Sequence, residues 1–171
     1  AAIDLKVTLY YPSDVARPYM PDPKGLATAI ANDLQAVGFT VTFGTMGWHA
    51  GYLTDEAVGS FPMWLLGWTC DWGGPDNFLD TAFFHFQGTS PNPEFNYGPP
   101  ELLQAFQKAE QATDPATAQA GWTDAQNILA KDLPTVPLVN SKPPAAAKAD
   151  VMGFVGSGNL TEYFNTVWLN R

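Results

Sequence analysis

Residues Met63 to Phe78 read MWLLGWTCDWGGPDNF. The apolar run Met63 to Trp68 has the length and composition of a fully buried strand. It stops at Thr69-Cys70-Asp71 and opens into a turn carrying Gly73, Gly74 and Pro75. A helix is expected next, over Phe78-Leu79 and Thr81-Ala82-Phe83, with Asp76 or Asn77 as its cap. Asp71 is thereby set just past the carboxyl end of a buried strand, between Trp68 and Trp72. In open α/β sheets, ligands bind outside the carboxyl ends of the strands.

Upstream, Leu5, Val7 and Leu9 alternate with Lys6, Thr8 and Tyr10, the period of a strand. Tyr11-Pro12-Ser13-Asp14 ends it, and the proline-rich Arg17 to Pro23 excludes regular structure. Asp22 caps a helix with Pro23 at its first position. Leu26, Ile30, Leu34 and Val37 give that helix an apolar stripe, and Gly38 closes it. Phe39, Val41 and Phe43 mark a second strand, and Trp48 to Val58 a short helix closed by Gly59. The order β-α-β-α-β predicts right-handed crossovers and a parallel sheet.

Beyond Phe78 the pattern changes. Phe78 to Phe86 reads as helical, Gly88 to Pro100 as irregular, and Glu101 to Gln111 and Ala116 to Asp132 as two helices, the second started by Asp114-Pro115. Thr135 to Val139 resembles a strand that Pro137 confines to an edge or bulge. Pro143 to Ala149 reads as another extended segment. From Val151 the glycines 153, 156 and 158 loosen the chain before Phe164 to Leu169. This tail has little to bury it locally, which suggests that it packs on another lobe.

The 171 residues suffice for one domain with a sizeable core. Lys plus Arg number 8 against 17 Asp plus Glu, a net charge of −9 that repels nucleic acid and anionic lipid. Cys70 is the single cysteine, so an internal disulfide is impossible and the redox compartment is not fixed. No window reaches the ~18 apolar residues of a membrane span. Ala1-Ala2-Ile3-Asp4 carries no signal-peptide pattern, so the chain reads as cytosolic or as a processed or excised piece of something longer.

The two arginines are Arg17 and Arg171. Arg17 follows strand one and Asp71 follows strand three. In a sheet of order 2-1-3 these loops are neighbours at the topological switch point. Arg17 could then grip a carboxylate through a two-pronged hydrogen-bonded pair, and Asp71 an ammonium group. A zwitterion with separated ends is the ligand such a rim suggests. The plainer reading also stands: the two side chains pair with one another or face solvent, and Trp68 and Trp72 belong to the core.

Enzymatic signals are weaker. His49 and His85 lack metal-ligand spacing, Cys70 has no histidine beside it, and Asp71, Asp76 and Asp80 do not match a calcium loop. Gly73-Gly74 is no phosphate loop. Glu101 and Glu110 read as part of a solvated face. No catalytic residue, metal or cofactor is expected.

Taken together, Arg17-Pro18-Tyr19-Met20-Pro21-Asp22-Pro23, Trp48 before a short helix, Gly67-Trp68-Thr69-Cys70-Asp71 and Pro75-Asp76-Asn77-Phe78 resemble the family 5 extracytoplasmic solute-binding proteins of peptide ABC importers, closest to the dipeptide-binding branch. The resemblance implies an α/β, periplasmic-binding-protein-like (type II) lobe with a mixed sheet, a β-α-β-α-β core and flanking helices. It implies that Asp71 holds a peptide's α-ammonium, that Arg17 holds its carboxylate, and that Trp68 lies near the ligand. Arg17 is the residue favouring short peptides. The implied partners are a short peptide and a membrane-embedded ABC permease, and the implied location is periplasmic or extracytoplasmic and membrane-associated.

Family members are much longer, and the likeness is to their carboxyl-terminal third. Residues 1–150 would then be part of the second lobe, and 151–171 a return segment packing on the first. Trp72-Gly73-Gly74 and Gln87 to Pro100 depart from the dipeptide-binding pattern, which leaves side-chain preference open. Rival readings are a same-fold receptor for a sugar, nickel or haem, a small hydrolase using Asp71 or Cys70, and a plain interaction module.

Overall fold

A computed structural model describes residues 5–142, 144–157 and 162–170. Arg171, Gly158, Pro143 and the Ala1-Ala2-Ile3-Asp4 segment lie outside the described residues. Strand β1 (Lys6–Pro12) is central, β2 (Thr40–Met46) and β3 (Met63–Trp64) pair with it in parallel on either side, and the order is 2-1-3. Helix α1 (Pro23–Ala36) makes the first crossover. A wide helical turn over Trp48–Tyr52 running into α2 (Leu53–Ala57) makes the second.

The alternation of β1 sorts its side chains onto two faces. Leu9 and Tyr11 are buried with Met20, Ala27 and Leu65 under α1. Tyr10 points the other way and stacks on Phe61 at 4.1 Å, beside the buried Trp48 and Tyr52. Asp22 caps α1 as the sequence indicates, its carboxylate accepting from the Gly25 N–H at 2.9 Å. The buried face of α1 is rotated from the expected stripe. Ala27 is 0% exposed and Ala31 is also buried, whereas Leu26 and Ile30 flank them and Val37 is 69% exposed as the C-cap. Two alanines let the helix backbone approach the sheet more closely than leucines would.

Three expectations are corrected. The third strand is much shorter than Met63 to Trp68 and not fully buried: the Leu65 N–H still donates to the Tyr10 carbonyl of β1 at 3.0 Å, but the Leu65 carbonyl is taken by Tyr52. The Tyr52 hydroxyl accepts from the Leu65 N–H at 3.2 Å and donates to the Leu65 carbonyl at 2.7 Å. The short helix α3 (Pro75–Phe78) begins with Gly74 at the cap position and Pro75 in its first turn, so neither Asp76 nor Asn77 caps it. Thr135 to Val139 forms no strand: Val136, Leu138 and Val139 are exposed, and Pro134 and Pro137 remove two backbone donors.

A wide helical turn at Leu79–Phe84 leads to the ribbon β4 (Phe86–Gln87) and β5 (Ser90–Pro91). Helices α4 (Pro100–Glu110) and α5 (Pro115–Asp132) form a hairpin over a core of Phe84, Leu102, Phe106, Trp122 and Ala125. Asp114 caps α5 through the Thr117 N–H at 2.9 Å. Phe95 joins this core to the sheet, its ring centroid 5.3 Å from Trp64 and 5.1 Å from Phe84. The tail makes a second antiparallel ribbon, β6 (Val151–Met152) with β7 (Trp168–Leu169).

Candidate functional site

The observed 2-1-3 order makes the loop after β1 and the loop after β3 neighbours at the carboxyl edge of the sheet. The first loop is locked by a two-way backbone bridge: Arg17 N–H donates to the Met20 carbonyl at 3.0 Å and Met20 N–H to the Arg17 carbonyl at 2.8 Å. Met20 is buried, and Tyr19 lies flat against Gly67 in the second loop. A Cβ at Gly67 would sit 2.5 Å from the Tyr19 ring, so only glycine admits this contact.

Arg17 is half-buried, with its guanidinium carbon 5.2 Å from the centre of the Trp48 ring. Trp48 is set in place from two sides. Its N–H donates to the Asp14 carboxylate at 2.7 Å, and its indole stacks on Tyr52 at 5.8 Å. The Arg17 Nε is buried without a partner among the described residues. Asp71 is exposed, Trp68 is 38% exposed, and Cys70 is a half-buried free thiol. Among the described residues no ion pair joins Arg17 to Asp71, so these two charges do not satisfy one another.

One residue organises the second loop from below. Asn77 is 0% exposed, and its Oδ1 accepts from both the Asp71 N–H at 2.9 Å and the Trp68 Nε1–H at 3.0 Å. Nearby, Trp72 Nε1–H donates to the Asp76 carboxylate at 2.7 Å, leaving Trp72 outside the core. From the sequence, Asn77 reads as a helix cap and as one residue of the Pro75-Asp76-Asn77-Phe78 motif, with no role toward Asp71. The signal available was a lone Asn a few residues past the Trp and Asp it serves.

The remaining acids group differently from their sequence reading. Glu56 is buried and faces Glu94; burial first, then the hydrogen bond and charge of Glu56, push Glu94 up to about 9. Burial first, then the Asp80 carboxylate, push Glu110 up to about 6, although Glu110 sits on an exposed face. Among the described residues no group of three or more His, Cys, Asp and Glu side chains could hold a metal ion. A shallow concavity lined by Lys6, Val7, Thr8, Thr40, Thr42 and Pro62 lies at the opposite end of the strands from Arg17 and Asp71.

Residues 13–90, which contain Arg17, Trp48, Trp68, Asp71 and Asn77, match the family described as bacterial extracellular solute-binding proteins, family 5 middle. That match takes in a little under half of the 171 residues. Similar proteins include di/tripeptide-binding protein 4 of Pseudomonas aeruginosa, 27% identical over 154 residues that make up 90% of this chain and 28% of the relative. The dipeptide-binding protein of Escherichia coli is 29% identical over 144 residues, 82% of this chain and 26% of that protein. The chain thus spans little more than a quarter of the length of these relatives.

The same fold is found in solved structures. A dipeptide binding protein from Pseudoalteromonas in complex with Met-Leu superposes with a TM-score of 0.78 at 24% identity, covering 96% of this chain and 32% of that one. OppA of Burkholderia pseudomallei superposes with a TM-score of 0.72 at 18% identity. These fix the α/β periplasmic-binding fold. Among the described residues no helix is long and apolar enough to cross a membrane.

Proposed function

We propose that this chain is the terminus-reading part of a receptor for dipeptides or other short peptides, serving an ABC importer. Arg17 takes the peptide carboxylate, Asp71 takes the α-ammonium, and Trp68 lies beside the bound backbone. The observation that carries the reading is the seating of Tyr19 on Gly67. It brings together two loops that bear opposite charges, with no ion pair between Arg17 and Asp71. The family match over the same loops and the peptide-binding names of the relatives support it.

Each charge would be left without its partner if the corresponding peptide terminus were blocked. Loss of one member of a hydrogen-bonded charge pair costs about 2 kcal/mol or more, roughly a 30-fold loss of affinity. Ligand binding shifts a clamp toward closure only by the difference in its affinity for the closed and open forms. With both ends gripped by this lobe, contacts that the other lobe makes to the ligand only on closure provide that difference. In this reading residues 1–150 are part of one lobe, and 151–171 return to the other. The exposure of Val155, Phe164 and Trp168 is consistent with that division. The receptor works outside the cytoplasmic membrane, periplasmic or membrane-associated, and hands its peptide unchanged to a permease.

The test is calorimetric titration of the longest polypeptide carrying this sequence with a dipeptide, its C-amidated form and its N-acetylated form. Both blocked forms are expected to bind about 30-fold more weakly or worse. Equal binding of all three, or of none, overturns the reading. Recovery of cleaved peptide would overturn the non-enzymatic part of it and support a hydrolase.

A further inference from the structure

Asn77 is fully buried, yet nothing in a packed core requires an amide at this position. Its Oδ1 receives two donors at once, the Asp71 backbone N–H at 2.9 Å and the Trp68 indole N–H at 3.0 Å. Because both partners are donors, the oxygen and not the nitrogen of the amide must face them, which fixes its orientation. The Nδ2 has no partner among the described residues, so the side chain retains a buried, unsatisfied donor. Such a group is costly to bury and is kept where its other end has a task. Asn77 itself is anchored in α3, which starts at Pro75 two residues before it.

The consequence falls on Asp71. Its carboxylate is exposed on a loop that runs into Gly73-Gly74, a setting in which the backbone would otherwise sample many positions. The bond to Asn77 pins the Asp71 backbone while leaving the side chain free to meet a ligand, and the same oxygen sets the Trp68 ring. Ordering these groups before binding removes an entropy cost from the binding step.

We propose that Asn77 is the positioning residue of the ammonium end of the site, presetting Asp71 and Trp68 as one unit. This rests on the peptide-terminus reading above. It requires that Asn77 affect discrimination at the ammonium end and not at the carboxylate end, where Arg17 is set independently by Trp48.

The experiment compares affinities of the free, N-acetylated and C-amidated dipeptide in the parent protein, Asn77→Ala and Asn77→Asp, with thermal melts of each. Asn77→Ala is expected to lower the free-to-acetylated ratio about tenfold and leave the free-to-amidated ratio unchanged. Asn77→Asp keeps an acceptor oxygen and is expected to restore the first ratio. A folded Asn77→Ala protein with both ratios unchanged, or with both falling together, overturns the inference.

Hydrogen exchange on the ligand-free parent supplies a second readout if Asn77→Ala fails to fold. The Asp71 amide and Trp68 indole protons should exchange slowly, and exchange at exposed-loop rates overturns the presetting. A parent that does not distinguish free from acetylated dipeptide overturns the peptide-terminus reading instead, and the exchange rates then decide the positioning role alone.

Discussion

Arg17 and Tyr52 each depend on neighbours that are distant in sequence. Arg17 lies over the Trp48 ring, and Trp48 in turn depends on Asp14 and Tyr52. A lysine at position 17 would retain the charge but not the planar fork that matches a carboxylate. Arg17→Lys is therefore expected to weaken dipeptide binding by roughly tenfold, and Arg17→Ala by 30-fold or more, both measured by titration. Tyr52 is buried, and its hydroxyl bonds Leu65 on both backbone groups and reaches the Tyr10 carbonyl at 3.3 Å. Tyr52→Phe would leave the Leu65 carbonyl without its partner, while the Leu65 N–H and the Tyr10 carbonyl keep one another at 3.0 Å, so a loss of about 1–3 kcal/mol is expected in a denaturant titration. The strand signal in Met63 to Trp68 was legible, but the early end of pairing was not. The hydroxyl that takes the Leu65 carbonyl arrives from the preceding helical turn.

Among the elements, the helix starts were the most legible parts of the chain. Asp22-Pro23 and Asp114-Pro115 carry their cap and first-turn signals in adjacent residues, and both caps form. Asp22→Ala and Asp114→Ala are each expected to cost about 1 kcal/mol of stability, checked by chemical denaturation. The facing of α2 and the 92–97 loop was not legible, because nothing local in Glu56 or Glu94 announces that the two carboxyls lie near one another. Glu94 titrates at about 9 in the fold against an ordinary 4.5. Its contribution is therefore present in full below about 4.5 and is lost as pH rises through about 9. Glu94→Gln mimics the protonated acid and should raise the melting temperature relative to the parent at pH 8. The difference should shrink toward pH 5, as followed by thermal melts across that range.

At the scale of the whole molecule, the apolar residues of the last part of the chain are left outside the three cores. Val136 is 71% exposed, and Leu138, Val139, Phe164 and Trp168 are also exposed. In the proposed two-lobed arrangement these residues serve contacts beyond this chain. Val136→Asp and Leu138→Asp should accordingly change the stability of the 171-residue chain by no more than about 0.5 kcal/mol, measured by denaturation. A larger loss would show that the segment is already packed here.

The sequence by itself determined the β-α-β-α-β order, the capped helices and the placement of Arg17 and Asp71 after strands one and three. Those features follow from periodicity and cap chemistry, which act over a few residues. The tertiary structure alone decided the seating of Tyr19 on Gly67, the Trp48 platform under Arg17, the rotation of α1 onto Ala27 and Ala31, and the Asn77 oxygen shared by Trp68 and Asp71. These are contacts between side chains that only packing brings within reach. Their partners are chosen by shape and by the need to satisfy buried polar groups, and neither leaves a local pattern in the chain.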